Sequence, residues 1–340
     1  MTAPVRIGTC SFADEALVKH WYPRGLPAKE RLAWYAVRYS TVEVDSTFYR
    51  VPDEAMVQGW ADRTPDGFVI HIKAFGLMTR HPVRLEQVPP DLREGMPLDE
   101  RGRVDRPPRE LRAVVFREFL AALEPLRSAG KLGGILFQFP PYVVPKPASY
   151  DYLEWARDQL AGDEMLVEFR HRDWFAEERR GQVLSWLDEH GMSYVTVDAP
   201  RREGGNVPET VVAATSPTAY VRLHGRNAAT WNVRTGGASA RFDHLYSQEE
   251  LGEWVEPLRV LASGAEQAYA FFNNNNQTNG VAQAPAGAEL LRRLLEDQGG
   301  AQRLTSASRR RPVRGVRWDQ RNTEPVTLSS TSSIDRPSWV

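Results

Sequence analysis

Short apolar, β-branched runs alternate along this chain with stretches of helical period, and the rhythm is regular enough to count. The runs Val5–Thr9, Thr41–Asp45, Phe68–Lys73, Leu132–Phe139, Met165–Phe169, Ser193–Asp198, Ala219–His224 and Gln267–Phe272 read as strands. Amphipathic segments at Ala28–Tyr39, Asp53–Arg63, Arg112–Arg127, Tyr150–Leu160, Glu177–His190, Gln248–Ala262 and Ala286–Gln298 read as helices between them. Eight strands in alternation with helices predict an α/β protein, a single (β/α)8 TIM barrel. An open doubly wound sheet is the competing arrangement.

Two segments interrupt the rhythm. Residues 77–111, directly after the third strand, hold six Pro and seven Arg against seven acids, with no sustained apolar period. They read as a long insertion, either a lid over the strand ends or a disordered excursion. Residues 301–340 carry eight Arg against three acids among Ser, Thr and Pro, and read as a disordered basic tail. The expected organisation is a barrel domain over 1–300 and a tail over 301–340.

In a barrel the inward residues near the carboxyl ends of the strands face the active-site mouth. Here those ends read Glu43 and Asp45 with Tyr49, Lys73, Gln138, Glu168 and Arg170 with Trp174, Asp198, His224 with Arg222 and Arg226, and Asn273 with Asn274. Seven strands thus become charged or amide-bearing at one end and stay apolar at the other, which solvent exposure alone does not explain. Glu43, Glu168, Asp198 and His224 are the candidate proton-handling residues. Asp45, Tyr49, Lys73, Gln138, Arg170, Trp174, Arg222, Arg226, Asn273 and Asn274 are the candidate substrate contacts, with the cations suited to an anion. Glu43, Glu168, Asp198 and His224 are also the donor types of a divalent-metal site, although Lys and Arg compete for the same carboxylates.

Composition narrows the partners. A net charge of −1 over 340 residues excludes a strongly basic nucleic-acid-binding body, leaving nucleic acid as a secondary option through the tail. No apolar stretch approaches the ~20 residues that span a bilayer, and the chain enters its first strand without a leader pattern. A cytoplasmic protein without membrane partners is expected; its oligomeric state is not legible. The single cysteine, Cys10, excludes an intramolecular disulfide and reads as a small buried residue. No NAD, ATP or haem motif and no Gly-x-Ser-x-Gly elbow occurs, so a divalent metal is the one cofactor left in view.

Several phrases resemble one family. Ile7-Gly8-Thr9, Tyr22-Pro23 with Gly25-Leu26-Pro27, Thr41 through Tyr49, Phe137-Gln138-Phe139-Pro140, Glu168-Phe169-Arg170 with Trp174, Tyr220 through Arg226 and Phe272-Asn273-Asn274 are similar in combination and order to the YecE-like family, domain of unknown function 72. The resemblance spans about residues 5–298 and implies a TIM barrel, but names no activity. It departs at Cys10-Ser11-Phe12, where the family usually continues Ser-Gly-Trp, and at Asp45, where Asn is common. The strand ends themselves point to a hydrolase-like enzyme acting on a phosphorylated or nucleotide-derived anion. The alternatives are a divalent-metal hydrolase or isomerase of sugar-like or nucleic-acid substrates, and a non-catalytic ligand or nucleic-acid binding module.

Overall fold

The computed structural model describes residues 2–200, 208–231, 239–306 and 326–327. Eight parallel strands, β1 (Val5–Thr9), β2 (Thr41–Val44), β3 (Val69–Lys73), β4 (Leu132–Gln138), β5 (Glu164–Glu168), β6 (Met192–Asp198), β7 (Thr218–Leu223) and β8 (Gln267–Phe272), follow the expected runs to within about a residue at most ends. They hydrogen-bond in the order β1-β8-β7-β6-β5-β4-β3-β2, the cyclic order of a TIM barrel.

The seam between β1 and β2 carries no strand ladder. It is closed by one side chain. The buried Tyr35 hydroxyl accepts from Thr9 N at 2.9 Å and donates to Thr41 O at 3.2 Å, so it bridges the two backbones. Gly8 makes room: a Cβ there would lie 2.6 Å from Thr41 O. The seam therefore needs both an aromatic hydroxyl and a missing side chain.

Helices cover the outside because their apolar positions recur on one face. Helix α1 (Glu15–His20) was not legible in the sequence, being too short to show a period, and α2 (Arg31–Ala36) follows it. In α3 (Glu54–Asp62) Asp53 caps the start by accepting from Met56 N at 2.8 Å, and Val57, Trp60 and Ala61 turn inward. After α4 (Arg109–Ala122), α5 (Glu124–Ser128), α6 (Pro147–Asp158), α7 (Arg180–Glu189), α8 (Gln248–Gly252) and α9 (Val255–Gly264), helix α10 (Gln283–Ser306) packs Ala284, Ala288 and Leu291 inward, all buried. It runs six residues past the boundary expected for the tail; most of the segment expected to be disordered lies outside the described residues. Among those described, no helix is long and apolar enough to cross a membrane.

The insertion is built into the domain. Val83–Arg84 pairs antiparallel with Arg103–Val104, and Leu77, Met78, Val83, Val88, Met96 and Val104 are buried in the main apolar cluster. Its anchors are spaced by turns rather than by a helical or strand period, which is why no periodicity marks them. The expectation of a disordered excursion is replaced by an ordered cap beside the strand ends.

Candidate functional site

Alternation of side chains sorts the strands into two apolar clusters. One, with Val42, Ile72, Phe137, Val167, Val221 and Phe272, meets the helices; the other, with Cys10, Leu136, Leu166, Val195, Tyr220, Tyr269 and Phe271, fills the barrel. Two residues further along the inward phase come the charged and amide groups: Gln138 after Leu136, Glu168 after Leu166, Arg222 after Tyr220, Asn273 after Phe271. Lower in the barrel His71 sits edge-on to Tyr220, Tyr269 and Phe271, and burial with Arg6 nearby pushes its pKa down to about 3.

The charged layer is centred on Arg222, which is fully enclosed. Its Nη2 donates to Glu43 Oε1 at 2.7 Å and its Nη1 to Glu168 Oε2 at 2.5 Å and Gln138 Oε1 at 3.2 Å. The other Glu43 oxygen accepts from Tyr220 at 2.9 Å, and Cys10 Sγ lies 3.6 Å from Nη2. Glu43 and Glu168 have no exposed surface. Burial opposes the Glu168 charge, but Arg170, Arg222 and His224 outweigh it and hold the carboxyl well below its ordinary range. Burial likewise disfavours the Arg222 cation, and the two glutamates more than compensate. The Cys10 thiol is pushed up by burial and by Glu43, so it stays protonated.

Above this layer Arg170 pairs through Nε with Glu168 and through Nη2 with Gln138 Oε1 at 3.0 Å, and its Nη2 lies 3.1 Å from His224 Nε2. His224 contacts Glu168 Oε1 at 3.3 Å and Asn273 Nδ2 at 2.8 Å, so both ring nitrogens are committed. Burial and Arg170 lower its pKa to about 3 and it is neutral. Lys73, only partly buried, makes no hydrogen bond to a described residue; its Nζ stands 4.8 Å over the Phe48 ring. Burial and Arg222 lower its pKa against the pull of Asp45, Glu43 and Glu168. Asp45 is raised to about 6, mainly by burial, with Lys73 opposing. Lys73, Arg170 and Arg222 thus lie among Glu43, Glu168 and Asp45.

Aromatic rings frame the opening. Trp231 lies 5.5 Å from the Arg170 guanidinium, Phe242 stacks on His224 at 5.3 Å, and Tyr49 is half exposed beside Phe48. His81, from the insertion, meets Phe48 edge-on at 4.9 Å. Asp14, at the start of α1, encloses both carboxyl oxygens without a hydrogen-bond partner and is raised to about 7 by burial and Asp45. Tyr220, Trp231, Phe242, His81 and Asp14 were not picked out from the sequence. Tyr220 is signalled by the inward phase of β7; the other four sit in loops that carry no periodic signal.

Four candidates lie elsewhere. Asp198 is out of phase with the inward Val195 and Val197; it accepts from Arg226 Nε at 3.0 Å and from the Tyr246 hydroxyl at 2.7 Å, and Arg226 goes on to Glu253 at 2.8 Å. Asp198 and Arg226 therefore anchor the loop after β7. Trp174 is fully buried, stacked on Phe169 at 3.9 Å with its indole N–H on Val143 O, and belongs to the core. Asn274 follows the outward phase and donates to His244 O. Arg222 does face inward, but it is sealed beneath Arg170 and Gln138 rather than open to a ligand. Among the described residues no three His, Cys, Asp or Glu side chains converge as a metal shell. Arg222 and Arg170 occupy the oxygens of Glu168, and Arg222 and the Tyr220 hydroxyl those of Glu43, so these carboxylates do not fit a divalent cation.

Two concavities, of about 500 and 400 Å³, open at the opposite end of the barrel, one beside Arg6, Ser40 and Gly67 and one beside Glu164, Ser193 and Thr218. Neither includes a residue of the charged cluster, and that end of this architecture serves stability.

The sequence profile of the family described as "Protein of unknown function DUF72" matches residues 6–310. The UPF0759 protein YunF of Bacillus subtilis is 29% identical over 275 residues, covering 80% of this chain and 89% of that protein. The crystal structure of a DUF72 family protein of Thermotoga maritima superposes with a TM-score of 0.68 at 28% identity, covering 86% of this chain and 99% of the other. One from Enterococcus faecalis gives 0.68 at 23% identity, covering 86% and 96%.

Proposed function

The chain belongs to the DUF72 family, and on that premise we propose that it is an enzyme that hydrolyses a small phosphorylated or nucleotide-derived anion at the carboxyl-terminal mouth of its barrel. The observation that carries this reading is Lys73. An ammonium group without a hydrogen-bonded carboxylate among the described residues, its charge opposed by burial and Arg222 more than Asp45, Glu43 and Glu168 favour it, gains stability from any anion that reaches it. Arg170 supplies a second cation with a planar donor edge, suited to phosphate oxygens. Trp231, Phe242 and Tyr49 offer flat apolar surface to the rest of the ligand.

Glu43 and Glu168 hold Arg222, Glu168 also holds Arg170 and contacts His224, and this frame keeps the two guanidinium groups oriented. Proton transfer then falls to Asp45, whose pKa of about 6 lets both of its forms be populated near neutrality. In the reaction Asp45 gives its proton to the departing oxygen.

A panel of phosphate mono- and diesters, assayed for release of inorganic phosphate, tests the reading. Turnover that Asp45→Asn abolishes while affinity persists supports it. Affinity without turnover in the native chain identifies a binding module instead, and absence of both removes the proposal.

A further inference from the structure

Hydrolysis needs a second proton-handling group, one that takes a proton from water while Asp45 gives one to the leaving oxygen. His224 is closed to that role by Glu168, Arg170 and Asn273. His81 is not. Its ring abuts the Phe48 phenyl that also carries Lys73, so the imidazole and the ammonium lie around one aromatic side chain. Its Nδ1 is 2.8 Å from Thr79 Oγ1, and Thr79 Oγ1 is 3.1 Å from Gly76 O, which accepts its hydrogen. A hydroxyl has one hydrogen to give. With that hydrogen on Gly76 O, Thr79 accepts from Nδ1–H, and the lone pair of the neutral ring is left on Nε2, which meets no partner among the described residues.

The segment is held for this. Arg80, between the two residues, sits in the left-handed region at φ 66°, a conformation unfavourable for a residue other than glycine. It is pinned there because Tyr142 donates to Arg80 O at 2.6 Å and Tyr152 to Met78 O at 2.7 Å. The strained turn sets Thr79 and His81 against each other.

We propose that His81 is the proton acceptor of this pocket, kept in the Nδ1–H tautomer by Thr79 and presenting Nε2 to water beside an anion bound by Lys73 and Arg170. The proposal rests on the hydrolytic reading above. In the step, the water oxygen bonds to phosphorus, the bond from phosphorus to the leaving oxygen breaks, Nε2 takes the water proton, and Asp45 protonates the departing oxygen. Ester and water become alcohol and phosphate, with no other reactant. The ring is a poor base in the empty pocket, where burial, Lys73 and Arg170 lower its pKa to about 3. Lys73 on β3 and Arg170 after β5 are the charged groups that depress it. A bound anion cancels them, so the base strengthens when substrate is present.

Long-range proton–nitrogen correlation spectra of the full chain, with His81 assigned through His81→Gln, decide the matter. At pH 7 without ligand the account requires Nδ1 protonated and Nε2 bare, a form kept in Thr79→Ser and lost in Thr79→Val. Saturating inorganic phosphate should raise the His81 midpoint by ~1 pH unit or more, and Lys73→Ala should abolish the rise. Protonated Nε2 in the native protein, an unchanged tautomer in Thr79→Val, or a bound phosphate that leaves the midpoint in place would each overturn the proposal. Failure of phosphate to bind would count against the anion reading alone, because the ligand-free tautomer still decides the role of His81.

Discussion

Replacing Arg222 by Met separates the two roles that its position allows. Its guanidinium touches Glu43 at 2.7 Å and Glu168 at 2.5 Å, and all three side chains have zero exposure. Removal leaves Glu43 buried without a cation and Glu168 with Arg170 alone, and breaking a buried pair in this way costs about 3–5 kcal/mol. For a domain of this size that is on the order of 10 °C in melting temperature. The loss is expected to shrink on acidification. The native Glu168 pKa is depressed, so its contribution is present above the unfolded value and is lost only as pH falls through the folded one. In the variant, protonation relieves the stranded carboxylates earlier. Lys73→Met is the control, since Lys73 makes no hydrogen bond to a described residue and is disfavoured as a cation; its stability should stay within about 1 kcal/mol. Urea titrations at pH 7 and pH 5 read both variants. An Arg222→Met chain as stable as the native one, or a Lys73→Met chain that loses as much as Arg222→Met, would refute the separation of roles between the two cations.

Three further outcomes follow from the same geometry. Asp45→Asn should raise the melting temperature at pH 8 more than at pH 4, because a raised aspartate pKa makes the native state lose stability as pH climbs through about 6; an equal gain at both values contradicts the assigned burial. His71 is held neutral with a pKa near 3, so its native contribution declines as pH falls below the unfolded value of 6.5, and the penalty of His71→Leu in urea should be smaller at pH 5 than at pH 7.5. Gly8→Ala sets a Cβ against Thr41 O across the seam and should cost about 1–3 kcal/mol, read in the same titration; a neutral effect would mean that the seam is looser than described.

The barrel was legible because each strand is a run of β-branched residues bounded by turns, and burial on both faces keeps such runs apolar until they reach the mouth. The inward phase was readable in principle. Glu168, Arg170, Arg222 and His224 stand at even spacing from the barrel-filling Leu166 and Tyr220, whereas Asp198 is at odd spacing from Val195, and that parity excludes it from the pocket. Polarity at a strand end thus located the charged cluster and was a poor guide to which side chains enter it. Arg222 shows a second limit. Its residue type suits an anion, but only the distances to Glu43 and Glu168 reveal that its charge is already spent. Trp231, Phe242 and His81 come from loops, whose positions are set by tertiary anchors such as Tyr142 on Arg80 O and Arg226 on Asp198 rather than by local pattern.

Whether Lys73 and Arg170 hold an anion at the barrel mouth is read by calorimetric titration of the native chain and of Lys73→Ala/Arg170→Ala with inorganic phosphate and phosphate monoesters. Saturable binding to the native chain, weakened by rising salt, and none to a variant shown to be folded by circular dichroism, is expected. Equal binding by both proteins, or none by the native chain, would contradict it.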